Sequence, residues 1–115
     1  MPKVLLADDD STMVTLLQTL LGMEGYQVAT LLDKTGNIVE NIRHEKPDIL
    51  LMDVYLGTCY GVDIARKIRA LPDMKDLKIV MVSGVDKTAE CLAAGANAFL
   101  LKPYMPDTLF DLLRA

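Results

Sequence analysis

Five short apolar runs, each followed by a stretch of helical period, restrict this chain to very few folds. Runs of strand length fall near residues 3–8, 26–31, 48–53, 78–83 and 97–101. Three of them, Val4-Leu5-Leu6-Ala7, Ile49-Leu50-Leu51-Met52 and Ile79-Val80-Met81-Val82, are apolar throughout instead of alternating. Strands of that kind have both faces covered, the pattern of a parallel sheet sandwiched by helices. Right-handed crossovers leave few topologies. Ligands of such open sheets gather at the carboxyl ends of the strands, near the switch in strand order.

The intervening segments carry the helical signal. Met13, Leu16, Leu17, Leu20 and Leu21 form one stripe at a 3.6-residue period, with Asp10 or Ser11 as cap and Gly22 and Gly25 marking the end. A second helix is expected over about 35–45, with Ile38, Val39 and Ile42 inward and Lys46-Pro47 stopping it. A third runs from Val62 to Ala70, with Ile64, Ala65 and Ile68 inward, and Leu71-Pro72-Asp73 breaks it. The fourth spans about 86–94 and ends at Gly95; the fifth follows Pro106 and carries Leu109, Leu112 and Leu113.

Residues 1–115 are enough for one domain with a real core and too few for two. No apolar stretch approaches the roughly 20 residues of a bilayer span. Met1-Pro2-Lys3 leads straight into a strand, which does not read as a secretory signal, so a cytoplasmic protein is expected. A net charge of −4 argues against direct nucleic-acid binding. Cys59 and Cys91 lack paired spacing and read as free thiols. His44, the single histidine, lies late in a polar helix and reads as a surface residue, and the seven methionines read as core filler.

The chemistry lies where the apolar runs stop. The first ends in Asp8-Asp9-Asp10, the third in Asp53, the fourth in Ser83 and the fifth in Lys102-Pro103. At roughly 4 Å and an effective dielectric near 20, each like-charged pair costs on the order of 4 kcal/mol. A chain that crowds carboxylates this way brings in a hard divalent cation, and oxygen-only ligands point to Mg²⁺. Acids, a hydroxyl and a lysine at strand ends suggest a phosphoryl-accepting site. Asp10 fits a capping role better than metal contact.

In these motifs the chain resembles the receiver domains of two-component response regulators, over essentially its whole length. Ala7-Asp8-Asp9-Asp10-Ser11, Met52-Asp53, Val82-Ser83-Gly84 and Lys102-Pro103 carry the resemblance, with Gly61 and Gly95-Ala96 in support. It implies a flavodoxin-like, doubly wound five-stranded parallel sheet of order 2-1-3-4-5, with five helices in an α/β/α sandwich. It implies Asp53 as acceptor of a phosphoryl group from a histidine kinase or phosphotransfer protein. Metal contacts would come from Asp8, Asp9, Asp53 and the backbone carbonyl of Tyr55, to Mg²⁺ or alternatively Mn²⁺. Lys102 and Ser83 would contact the phosphoryl oxygens, and Gly84 would leave room for them. Such a domain catalyses only its own phosphorylation and dephosphorylation and is not an enzyme with turnover. Movement of Ser83, coupled to an aromatic in the exposed row of the fifth strand (here Phe99), would switch a surface of helix 4, strand 5 and helix 5. Homodimerisation through that surface, a C-terminal effector domain or a separate target protein are the implied outputs, without a membrane.

Three departures from the family pattern bear on this reading. Leu56-Gly57 stands where relatives carry Met-Pro, predicting a more flexible loop. The stretch from Ser83 to Gly95 is about three residues short, so helix 4 or its leading loop is cut back, and Phe99 replaces a common Tyr. The competing functions are an aspartate-based phosphohydrolase, a non-phosphorylated interaction module and a nucleotide- or flavin-binding domain. The first needs a second acid where Tyr55 stands. The second would lack Asp53, Asp9 or Lys102, and the third would carry a glycine-rich loop after the first strand.

Overall fold

A computed structural model describes residues 2–31 and 37–115. Its central sheet has five strands: β1 (Lys3–Ala7), β2 (Gln27–Thr30), β3 (Ile49–Asp53), β4 (Lys78–Ser83) and β5 (Ala98–Leu101). All pairings are parallel and the spatial order is β2-β1-β3-β4-β5. The helices are α1 (Ser11–Met23), α2 (Ile38–Glu45), α3 (Gly61–Arg69), α4 (Thr88–Ala93) and α5 (Pro106–Arg114), with a 3₁₀ turn at Pro72–Met74. The start of the second helix near residue 35 lies outside the described residues.

The apolar strands are buried on both sides, as continuous apolar runs require. Leu5, Leu50, Met52, Ile79 and Met81 face a core closed by α2, α3 and α4. Val4, Leu6, Leu51, Val80 and Val82 face a second core closed by α1 and α5. Leu17 and Leu21 bury the α1 stripe, but Leu16 lies half in solvent, because α5 covers only part of that face. Ile38 and Ile42 of α2 are buried, Val39 partly so, and Ile64, Ala65 and Ile68 of α3 are all buried. In α5, Leu109, Phe110 and Leu113 are buried while Leu112 is partly so.

Caps set the element ends beside the acidic rim. The Asp10 side chain accepts from the N–H groups of Thr12 (3.0 Å) and Met13 (3.2 Å), making it the N-cap of α1. Gly22 stays inside the helix, and Gly25, at φ +92°, turns the chain into β2. The shortened region is taken out of α4, which keeps six residues against the nine expected. The loop after Asp53 is a short hairpin. Tyr55–Leu56 pairs antiparallel with Cys59–Tyr60, Leu56 is fully buried, and Gly57 takes φ +59° at the turn. Gly57 supplies the positive φ of a tight hairpin instead of the freedom expected of it.

Candidate phosphoacceptor site

Parallel register brings the acidic strand ends to one rim. Ala7 pairs with Met52 and Asp53 with Val82, so Asp8 and Asp53 leave adjacent strands at nearly the same height. The N–H of Lys102 donates to the Ser83 carbonyl at 2.8 Å, fixing the lysine at the end of β5. Its Nζ then lies 2.7 Å from Asp53 Oδ1 and 3.5 Å from Asp8 Oδ2. Asp8 and Asp53 are both buried, and Asp8 Oδ1 accepts the Asp10 N–H at 2.8 Å. The Lys102–Pro103 peptide is cis, a form essentially confined to proline.

Burial and the neighbouring Asp8 carboxylate push Asp53 up to about 7, against the opposing pull of Lys102. Burial would raise Asp8 too, but its hydrogen bonds with Asp53 and the Asp10 N–H, together with Lys102, leave it below its ordinary value. The two acids therefore hold a proton between them near neutrality, as like charges crowded in low dielectric do. Lys102 is partly desolvated, yet the two carboxylates hold its pKa above the usual value.

The remaining expected residues line the same rim. Asp9 is exposed, and its Oδ2 accepts the N–H of Gly57 across the hairpin. Among the described residues no three Asp, Glu, His or Cys side chains are gathered closely enough to enclose an ion. The donors nevertheless suit a hard cation: carboxylates only, two of them buried. Ser83 is buried, and its Oγ accepts the Val85 N–H at 3.1 Å. Gly84 is open, with nothing within 4 Å of where a Cβ would sit. The Tyr55 side chain faces solvent.

Phe99 is half-buried against the core on the α4 side, across from Met81. The short α4 lies over the edge strand there and shelters the ring. His44 is exposed, and Cys59 and Cys91 are free thiols, Cys91 buried.

Three further features complete the surroundings of the site. Gly61 opens α3 directly beneath Asp53: a Cβ there would lie 2.5 Å from the Asp53 carbonyl oxygen and 2.9 Å from Met81 Cε. Tyr104 is half-buried beside the acids; burial, then Asp8 and Asp53, push its phenol up to about 12. At the rim, Tyr60 donates its hydroxyl to Glu90, whose other oxygen lies 3.4 Å from Lys87 Nζ. No periodicity or motif marks those last pairings, because they join an irregular hairpin to a helix far along the chain.

The doubly wound parallel sheet thus sets buried acids and a lysine at the carboxyl end of its strands, where ligands of this fold class bind. Residues 4–114 match the family model for the response regulator receiver domain, and the chain belongs to that family. The chemotaxis protein CheY of Thermotoga maritima is 30% identical over 114 residues, covering 96% of this chain and 93% of CheY. The DNA-binding response regulator MtrA of Mycolicibacterium paratuberculosis is 30% identical over 116 residues, covering 98% of this chain and 50% of MtrA. The chain thus spans about half the length of that curated relative. Among solved structures, the receiver domain of the sensor histidine kinase PA1611 from Pseudomonas aeruginosa superposes with a TM-score of 0.82. It is 28% identical, with 98% of this chain and 94% of that one covered, and it is described with a magnesium ion coordinated in its active site cleft. Domains of this family are signalling modules of two-component systems, not classical enzymes. Among the described residues no helix is long and apolar enough to cross a membrane.

Proposed function

We propose that Asp53 accepts a phosphoryl group from a phosphohistidine of a histidine kinase or phosphotransfer protein, residues 1–115 acting as one receiver domain. The observation that carries the reading is the buried Asp53 carboxyl, coupled to Asp8 and 2.7 Å from Lys102 Nζ. An Asp53 oxygen bonds to phosphorus as the P–N bond to the donor imidazole breaks, leaving an acyl phosphate and neutral or protonated imidazole. Attack requires ionised Asp53, so a positive charge that offsets the crowded carboxylates without protonating them promotes it. Asp8, Asp9, Asp53 and the Tyr55 carbonyl would hold Mg²⁺, with Mn²⁺ as an alternative. When bound, that ion offsets negative charge on the transferring oxygens. Lys102 supplies a point charge to the same oxygens, and the Ser83 hydroxyl, which accepts the Val85 N–H, keeps its own proton to donate to them.

Loading and hydrolysis are self-catalysed, without turnover of a separate substrate, in a cytoplasmic protein. The product acts by shifting a two-state equilibrium of the α4–β5–α5 surface. That surface contacts a second copy, an effector domain or a separate target, not nucleic acid directly. Phe99, half-buried beside α4, is the aromatic placed to follow Ser83. Intact-mass measurement with a small acyl-phosphate donor and Mg²⁺ tests this. One added phosphoryl mass is expected, absent in Asp53→Asn. An unshifted wild-type mass with active donor and metal contradicts it.

A further inference from the structure

The hairpin after Asp53 joins the acidic rim to α4. At its turn, the Gly57 N–H is held by Asp9 Oδ2. At its base, the Gly61 N–H donates to the Val54 carbonyl, so the hairpin is anchored beside Asp53. Its outer strand ends in Tyr60, whose ring lies 5.7 Å from that of Tyr55 and whose hydroxyl donates to Glu90 of α4. Lys87, just before α4, faces Glu90 at 3.4 Å and interacts with Tyr55. The Tyr60 phenol is held above its ordinary value by this bond to Glu90. A continuous chain of contacts therefore runs from the Asp9 carboxylate through the hairpin to α4, bypassing Ser83 and Phe99.

A six-residue helix is poorly able to hold itself, so its outside contacts matter more than they would for a long one. Apart from Cys91 and the Ala94 cap, α4 is exposed or nearly so. We propose that the Tyr60–Glu90 bond is a latch by which the hairpin transmits the state of Asp9 to α4. While Gly57 occupies Asp9, the hairpin is seated and the latch holds the helix; a cation held by Asp9 would compete with Gly57 for the carboxylate and so loosen α4. The cation rests on the function proposed above, but the latch itself does not, because the contacts exist without it.

The test is a double-mutant cycle on amide hydrogen exchange, with neither metal nor phosphodonor present. The reporters are the Cys91 and Ala94 N–H groups, which donate to Lys87 and Glu90 carbonyls at 2.9 and 3.0 Å. Asp9→Ala should speed their exchange several-fold in the Tyr60 background and change it little in Tyr60→Phe. Glu90→Gln, which keeps a weaker acceptor for the phenol, should give an intermediate response. Equal acceleration by Asp9→Ala in both backgrounds, or none in either, overturns the latch. A failed latch leaves the phosphoacceptor reading standing, since that reading is scored by mass gain at Asp53.

Discussion

Asp53 shows how a single residue's surroundings decide its chemistry. A carboxylate at a strand end would titrate near 4 in water; here burial and Asp8 carry it to about 7. The folded protein therefore binds a proton that the unfolded chain releases, and between those values stability falls as pH rises. The loss is complete above about pH 7 and amounts to at most about 4 kcal/mol at 1.36 kcal/mol per pKa unit. Asp8, held below its ordinary value, acts in the opposite sense and in a lower window: its contribution disappears only as pH falls below the ordinary carboxylate range. Denaturation of metal-free protein at pH 5 and pH 8 should therefore show wild type weaker at pH 8. Asp53→Asn, which cannot ionise, should lack most of that difference. The identity of this acid was legible from its place after Met52. Its partner's opposite shift was not, because sequence gives the neighbours but not which one keeps the proton.

At the scale of elements, what was legible followed from periodicity, and what was not followed from close approach. The all-apolar runs at Val4, Ile49 and Ile79 dictated central strands, and the stripe through Leu17 and Leu21 dictated α1. The hairpin at residues 55–60 was missed because Gly57 was read as freedom, whereas a glycine at φ +59° makes a defined turn. Gly61 marks the tightest approach: α3 begins against the backbone of β3's end. Gly61→Ala should cost about 1–3 kcal/mol, as overpacking in a filled core does, and should also slow loading of Asp53 by displacing its carbonyl. Thermal unfolding reads the first effect and the rate of mass gain the second.

Across the whole molecule, one topology does the positioning. Because every strand of the sheet is parallel, all carboxyl ends share an edge, and residues 8, 53, 83 and 102 meet there although up to 94 positions separate them. The strand order was expected from the resemblance, and the convergence of Asp8, Asp53 and Lys102 follows from it. The seating of Asp9 on Gly57 does not, since it depends on a hairpin that only the folded chain defines. If this edge makes Asp53 the acceptor, as proposed, chemical trapping reads it directly. Borohydride reduces an aspartyl phosphate to homoserine, so peptide mapping after treatment with donor, Mg²⁺ and borohydride locates the modified side chain. The account predicts homoserine at position 53 alone. Homoserine at position 8 or 9, or phosphate retained on His44, would contradict it.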